Sequence, residues 1–133
     1  MKRSVYADAQ WINDAYNANP DSMRATLNWL AEFADPSKLL LVLGDMREVG
    51  ELSAAAHEEI LRLALTLFPG ARIAAVGESM SEAAQRIASP AIVSFPDSLA
   101  AAEEVRSMAK PGDIVFLKAS RGTRLERIEP ARE

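Results

Sequence analysis

The sequence predicts an α/β fold with a mostly parallel sheet of five or six strands and helices on both faces. Two patterns alternate along the 133 residues: short apolar runs rich in Val, Ile and Leu, and longer segments with apolar residues at helical spacing. Strands that alternate with helices imply crossover connections, and these connections produce parallel strands. The run 39–43 is apolar at every position, which is typical of a strand buried on both faces.

The N-terminal part predicts a strand followed by a helix. Residues 4–13 fit either one long edge strand or two short strands joined near Asp8 and Ala9. The first helix begins after Asn19, because asparagine is a good N-cap and Pro20 suits the first helical position. The apolar residues that recur on its buried face are Met23, Leu27, Leu30 and Ala34.

The middle of the chain predicts a second helix between two strands. The strand 39–43 precedes a helix over residues 51–68, and a third strand covers residues 73–76. The apolar side of this helix consists of Leu52, Ala56, Ile60, Leu63, Ala64 and Leu67.

The remaining elements follow the same alternation. Ser79 and Glu82 have the spacing of a capping box for a third helix. Asp97 or Ser98 caps a fourth helix, whose apolar residues are Leu99, Ala102, Val105 and Met108. The last two strands and a final helical turn are predicted at residues 92–95, 114–117 and 123–128. We expect one domain over residues 1–133, with residues 1–10 and 129–133 peripheral.

Composition excludes several classes of function. The net charge is −4 and the basic residues are scattered, which argues against a nucleic-acid partner. The chain has no cysteine, which excludes disulfides, thiolate metal sites and a cysteine nucleophile and fits a reducing cytoplasm. The N-terminus has no apolar signal segment, and the longest apolar stretch is too short to span a membrane. We therefore expect a cytoplasmic protein that does not insert into a membrane.

The loop after the first strand is rich in polar residues. Residues 13–20 contain three Asn, one Asp and one Tyr, and these side chains suit hydrogen bonding to a purine edge or a ribose. Ligands of open parallel sheets bind beyond the carboxyl ends of the strands, which is where this loop falls. The alternative is that these residues form a turn and a helix cap, as Asn and Asp commonly do.

Three further positions follow predicted strands or stand out by type. Lys118 and Arg121 flank a hydroxyl after the last strand and suit a phosphate or carboxylate, or else are solvated cations at a sheet edge. Asp45 follows the fully apolar strand and either binds a ligand or caps the turn into the next helix. His57 is the only histidine, and a lone helical histidine is more often structural than catalytic.

Three ordered blocks resemble the C-terminal domain of the Mur ligase family, in its D-alanyl-D-alanine-adding branch. The first is DAYNANPDS at residues 14–22, and the second is VLGDMREVGE at residues 42–51, followed by His57. The third is Gly-Asp at residues 112–113, followed by VFLKASR at residues 115–121. The family usually has glycine at the position of Ala119 and leucine at the position of Val49.

The resemblance implies one part of a three-domain ligase. In such enzymes ATP phosphorylates the carboxylate of UDP-MurNAc-tripeptide, and the amine of D-Ala-D-Ala attacks the acyl phosphate. The N-terminal domain holds the UDP-sugar, and the central domain carries the phosphate loop and holds most of the ATP and Mg²⁺. The C-terminal domain is a three-layer, Rossmann-like unit that closes over the site. This chain has no phosphate-loop motif GxxxxGK[ST], so we expect it to be inactive alone.

The resemblance also implies roles by position. Asp14 would meet the nucleotide ribose, with Tyr16, Asn17 and Asn19 around the same nucleotide. The residues that would face the substrate side of the cleft are Asp45, Lys118, Ser120 and Arg121. No catalytic residue and no metal site is expected within the chain. The alternative is a free-standing α/β binding or receiver-like module, in which Asp14, Asp45 and Lys118 form an acidic cluster with a lysine.

Overall fold

Six strands form one mixed sheet in the computed structural model, which describes residues 2–14, 18–47 and 50–130. The strands are β1 (Lys2–Tyr6), β2 (Ala9–Asp14), β3 (Leu39–Gly44), β4 (Arg72–Val76), β5 (Ile92–Phe95) and β6 (Ile114–Lys118). The helices are α1 (Pro20–Ala31), α2 (Ser53–Leu67), α3 (Glu78–Ile87) and α4 (Ser98–Met108). The strand order is β1-β2-β6-β3-β4-β5, and every neighbouring pair is parallel except β1 with β2.

The direction in which the chain crosses the sheet decides which face each helix covers. The connections from β2 to β3, β3 to β4 and β4 to β5 all step the same way, whereas the connection from β5 returns to place β6 between β2 and β3. Crossovers between parallel strands are almost always right-handed, so a reversed step puts its helix on the opposite face. Accordingly α1, α2 and α3 pack on one face, and α4 packs on the other. The predicted α/β class with helices on both faces is confirmed.

The central strand β3 separates two apolar cores. All six of its residues are buried. Leu41 and Leu43 pack into the core under α1, α2 and α3, whereas Leu40 and Val42 pack into the core under α4. Successive side chains of a strand point to opposite faces, so an uninterrupted apolar run is what two cores require.

A tight hairpin decides between the two interpretations of the N-terminal segment. β1 and β2 pair antiparallel, and Tyr6 lies opposite Ala9. Ala7 and Asp8 connect them with φ values of 50° and 63°. Positive φ at both central residues is the backbone geometry that matches the twist of a two-residue hairpin. The segment is therefore two short strands, not one long strand.

Two leucines that the helical spacing assigned to buried faces are exposed. Leu52 is 71% exposed and Leu99 is 67% exposed. A 3-10 helix at Gly50–Leu52 precedes α2, which begins at Ser53, so Leu52 lies outside the α-helical period. Leu99 lies in the first turn of α4, where the buried positions are instead Ser98 and Ala101.

The predicted caps were right for two helices and wrong for the third. Asn19 caps α1, and Asp97 caps α4 by accepting a 2.8 Å hydrogen bond from the Ala100 N–H. The predicted capping box at Ser79 does not form, because α3 begins at Glu78 and has no side-chain cap of its own. The predicted final helical turn at residues 123–128 is two 3-10 turns, Arg121–Thr123 and Leu125–Arg127.

The first turn of α3 is capped instead by a side chain from the end of β3. The Asp45 carboxylate accepts hydrogen bonds from Met80 N–H at 2.8 Å and from Ser79 N–H at 3.4 Å. A negative carboxylate at a helix N-terminus satisfies free N–H groups and complements the helix dipole. Gly77 makes the approach possible, since a Cβ at this position would lie 2.5 Å from the carboxylate.

Replacing Gly77 by alanine is expected to destabilise the fold more than replacing Gly70. Both glycines have positive φ, 115° and 89°, so alanine strains the backbone at both. Only at Gly77 would the new methyl also displace Asp45, since nothing lies within 4 Å of a Cβ at Gly70. The free energy of unfolding should fall by about 3 kcal/mol in Gly77→Ala and about 1 kcal/mol in Gly70→Ala. Urea unfolding followed by circular dichroism measures both, and equal losses would contradict the role given to Asp45.

Candidate functional site

Three strand ends lie side by side at the carboxyl edge of the sheet. Asp14 at the end of β2 is opposite Lys118 at the end of β6, and Lys118 is opposite Leu43 of β3. The loops that follow these three strands therefore start next to one another. We call their described residues, 14, 18–19, 44–47 and 118–123, the carboxyl-edge site.

An ion pair joins the end of β2 to the end of β6. Lys118 Nζ lies 2.7 Å from Asp14 Oδ2, and the two side chains are 3% and 20% exposed. A buried ammonium loses its hydration, and a close carboxylate compensates for much of that loss. The two residues that the sequence assigned to the ribose and to the substrate side are thus direct partners.

Three consecutive backbone positions bind three different elements. The Asp45 carbonyl accepts from Ser120 N–H at 2.8 Å, and the Arg47 N–H donates to the Ala18 carbonyl at 3.2 Å. Between them, the Met46 N–H donates to His57 Nε2 at 2.9 Å. The segment 45–47 therefore links the loop after β2, helix α2 and the loop after β6, while the Asp45 carboxylate holds α3.

The imidazole of His57 is a fully buried part of this linkage. Its Nε2 accepts from Met46, so its Nδ1 carries the proton and donates to the Ser53 carbonyl at 2.7 Å. Both ring nitrogens are occupied inside the protein. The structural interpretation of this histidine is the one that the geometry supports.

The loop after β6 presents only part of the predicted cation–hydroxyl motif to solvent. Ser120 is buried, with its Oγ 3.3 Å from Thr123 Oγ1, whereas Arg121 is exposed. Ala119 is buried against Gly44, where a Cβ would lie 2.5 Å from the Ala119 methyl. The methyl group of Ala119, at a position where the family usually has glycine, therefore fits because Gly44 of β3 has no side chain.

One functional candidate escaped the sequence interpretation. The guanidinium of Arg47 lies against Gly122, where a Cβ would be 2.5 Å from Nη2. Arg47 lies in the second block that resembles the Mur ligase family, between Asp45 and His57, whose side-chain types singled them out as candidates. No pattern near Arg47 in the sequence indicates that its guanidinium contacts Gly122, which lies 75 positions further along the chain.

The remaining residues of the first loop are only partly described. Asn19 is exposed, and its Oδ1 accepts from Ser22 N–H at 2.9 Å while Ser22 Oγ accepts from the Asn19 N–H. Its side chain is thus a helix cap at the site. Tyr16 and Asn17, predicted to lie around the nucleotide, fall outside the described residues.

The arrangement does not favour the receiver-like alternative. That function needs two carboxylates and a lysine in one cluster. Lys118 contacts Asp14, but the Asp45 carboxylate is committed to the N–H groups of α3. Within residues 2–14, 18–47 and 50–130 there is no group of three or more His, Cys, Asp or Glu side chains that could hold a metal ion.

Comparison with protein families identifies a related domain. The family model of the Mur ligase, glutamate ligase domain matches residues 1–121. UDP-N-acetylmuramoyl-tripeptide–D-alanyl-D-alanine ligases are similar in sequence: the one from Mycobacterium tuberculosis H37Rv is 35% identical over 142 residues and the one from Treponema pallidum 35% over 130 residues. The alignments cover 90% and 95% of this chain, respectively, and 28% of each relative. The chain therefore spans a little over a quarter of the length of these relatives.

Solved structures share the fold. A crystal structure of MurF from Acinetobacter baumannii aligns with a TM-score of 0.79 at 28% identity, over 96% of this chain and 28% of that one. The MurF ligase from Thermotoga maritima in complex with ADP aligns with a TM-score of 0.73 at 28% identity, over 95% and 28%. In the part of the chain that the structure describes, no helix is long and apolar enough to cross a membrane.

The losses from breaking the pair of Asp14 and Lys118 at either end are expected not to add. Asp14→Asn removes the carboxylate that faces the buried ammonium, and Lys118→Met removes the cation that faces the carboxylate, so each should lower the free energy of unfolding by about 2 kcal/mol. The double variant should lose at least about 1 kcal/mol less than the sum of the two.

Urea unfolding of the four proteins in this double-mutant cycle measures the coupling. The matched control is the pair of Arg62 and Glu58, 3.6 Å apart on α2 with side chains 61% and 31% exposed, whose two substitutions should be nearly additive. Additive losses at Asp14 and Lys118 would show that the two charges are not coupled.

Proposed function

The chain belongs to the Mur ligase family, and on that premise we propose that it is the C-terminal domain of an ATP-dependent ligase that joins D-Ala-D-Ala to UDP-MurNAc-tripeptide. The reaction belongs to cytoplasmic synthesis of the peptidoglycan precursor. The remaining domains supply the rest of the catalyst, since the chain spans 28% of the relatives named above.

One observation carries the proposal beyond family membership. The three blocks that resemble D-alanyl-D-alanine-adding ligases are far apart in sequence, yet each contains the end of β2, β3 or β6, and these three strand ends lie at one edge of the sheet. Ligands of open parallel sheets bind at such an edge, where a strand order reverses. The proposed nucleotide and dipeptide contacts thus fall where this fold offers a binding surface.

The residues of this edge suit binding rather than bond making. Asp14 Oδ2 pairs with Lys118, and we propose that Oδ1 of this partly exposed side chain accepts a hydrogen bond from a ribose hydroxyl. Asn19, with Tyr16 and Asn17 beside it in sequence, is proposed to line the same nucleotide. Arg121 is exposed and suits an oxyanion on the substrate side. Lys118, Ser120 and Asp45 hold the loops in place behind these contacts.

The chain's own residues fit only part of ATP. The sequence has no GxxxxGK[ST] loop, and the described residues include no carboxylate cluster for Mg²⁺. We assign the triphosphate and Mg²⁺ to the central domain, where ATP supplies the phosphoryl group that activates the peptide carboxylate. Closure of the carboxyl-edge site over that centre would exclude water, which otherwise hydrolyses an acyl phosphate.

The isolated chain should therefore show no turnover, whereas a fusion should. Mixed with ATP, UDP-MurNAc-tripeptide and D-Ala-D-Ala, the chain alone is expected to release no phosphate above background. A fusion in which this chain replaces the matching domain of the Bacillus subtilis relative, which is 32% identical over 123 residues, should keep measurable ligase activity. In that fusion Asp14→Ala should lower kcat/KM for ATP at least about tenfold, because it removes the ribose contact and its supporting pair.

The control for the fusion is the Bacillus enzyme truncated before the replaced domain. Arg62→Gln, on the exposed surface of α2, serves as the matched substitution and should leave activity unchanged. Phosphate release by the isolated chain, or a fusion no more active than the truncated enzyme, would overturn the proposed function.

A further inference from the structure

We propose that Arg47 binds an oxyanion of a substrate, and that Gly122 is the surface on which its guanidinium is held. The inference rests on the proposed function, because it names a contact for the same carboxyl-edge site. It concerns a residue to which neither the motif resemblance nor the family comparison gave a role.

None of the ion pairs among the described residues involves Arg47. Of the two carboxylates in the described part of this site, Asp14 holds Lys118 and Asp45 holds the N-terminal turn of α3. Arg47 is exposed and takes part in no ion pair with any other residue that the structure describes. An exposed guanidinium that no described carboxylate neutralises can attract an anion, although the whole chain carries a net charge of −4.

The guanidinium of Arg47 lies close to the loop after β6. Its Nη2 sits where a Cβ of Gly122 would lie 2.5 Å away, and Cζ and Nε would be 3.4 and 3.5 Å from the same point. The Nη2 end of the guanidinium is therefore the part that approaches the backbone of the loop after β6. The guanidinium is planar, and its N–H groups form a fork that matches the two oxygens of a carboxylate or phosphate.

The backbone of Arg47 is fixed from both sides. Its N–H donates to Ala18, one residue before the helix cap Asn19, and the preceding Met46 N–H is held by the buried His57. Pre-positioning lowers the entropy that a long side chain loses when it binds a ligand. Two independent features, the glycine surface and the backbone bonds, thus place this cation between the two loops proposed to meet the nucleotide and the dipeptide.

Two substrate groups carry the matching chemistry. One is the terminal carboxylate of D-Ala-D-Ala, and the other is a phosphate of the nucleotide. The carboxylate is planar and the phosphate is tetrahedral, but each can accept two parallel N–H bonds from arginine. The titrations below distinguish them.

The test is titration of the full chain, followed by the amide NMR signals of Gly122 and Ser120. The probes are D-Ala-D-Ala, its uncharged C-terminal amide, inorganic phosphate and ADP. Arg47→Gln should weaken the oxyanion that binds at least about tenfold, or about 1.4 kcal/mol, and Arg47→Lys should recover only part of the loss. If the dipeptide is the ligand, its amide should fail to bind; if a phosphate is the ligand, phosphate and ADP should shift the signals and the dipeptide should not.

Gly122→Ala tests the supporting surface separately. Gly122 is not among the glycines with positive φ, so alanine is tolerated by the backbone but must push the guanidinium away. We expect weaker oxyanion binding with unchanged unfolding free energy to within about 0.5 kcal/mol. Arg62→Gln removes the same charge from α2 and should leave every titration unchanged.

Three results would overturn the inference. They are the absence of any oxyanion-dependent shift in the unmodified chain, equal affinity in Arg47→Gln, and equal weakening by Arg62→Gln. Because no turnover is measured, these results are independent of the ligase fusion. An inactive fusion with Arg47-dependent oxyanion binding would reject the proposed function and leave this site standing.

Discussion

The whole site depends on the position of β6 beside β2, and the ion pair of Asp14 and Lys118 is the contact that this position makes possible. It joins strand ends that are 104 residues apart, and it can form only because the last strand inserts between β2 and β3. That insertion reverses the direction of crossing and thereby places α4 opposite the other three helices. The polar pair and the two-sided core are therefore consequences of one topological step. Loss of the Asp14 carboxylate would therefore destabilise β6, at whose end the buried lysine lies.

Polar side chains at the carboxyl edge mostly hold other parts of the protein. Asp45 caps a helix, His57 fixes a backbone N–H, and Ser120 is buried beneath its own loop. Such commitments explain why residue type alone overstates the number of ligand contacts at a sheet edge. They also explain how irregular loops can present a few groups in fixed positions, since each loop backbone is bonded to a neighbouring element.

The sequence predicted those features that depend on near neighbours. The fully apolar run of β3 and the caps Asn19 and Asp97 follow from residues within a few positions of one another. The cap of α3 was missed because its carboxylate comes from Asp45, 34 and 35 positions before the N–H groups that it binds. A local serine has the right spacing there, but the tertiary carboxylate takes its place. Leu52 was assigned to a buried face because spacing does not reveal where a 3-10 turn gives way to an α-helix.

The site itself was predictable as a location but not as a set of contacts. The rule that ligands collect beyond parallel strand ends placed Asp14, Asp45 and Lys118 at one edge, and the register of β2, β3 and β6 does so. Whether a carboxylate at that edge faces a ligand or a neighbouring helix depends on distances that no single segment encodes. The same limit hid Arg47, whose interest arises only from a bare glycine backbone on another loop. Arg47 stands out because the side chain that would displace its guanidinium is missing at Gly122. That contact can be recognised only when the positions of the two loops are known.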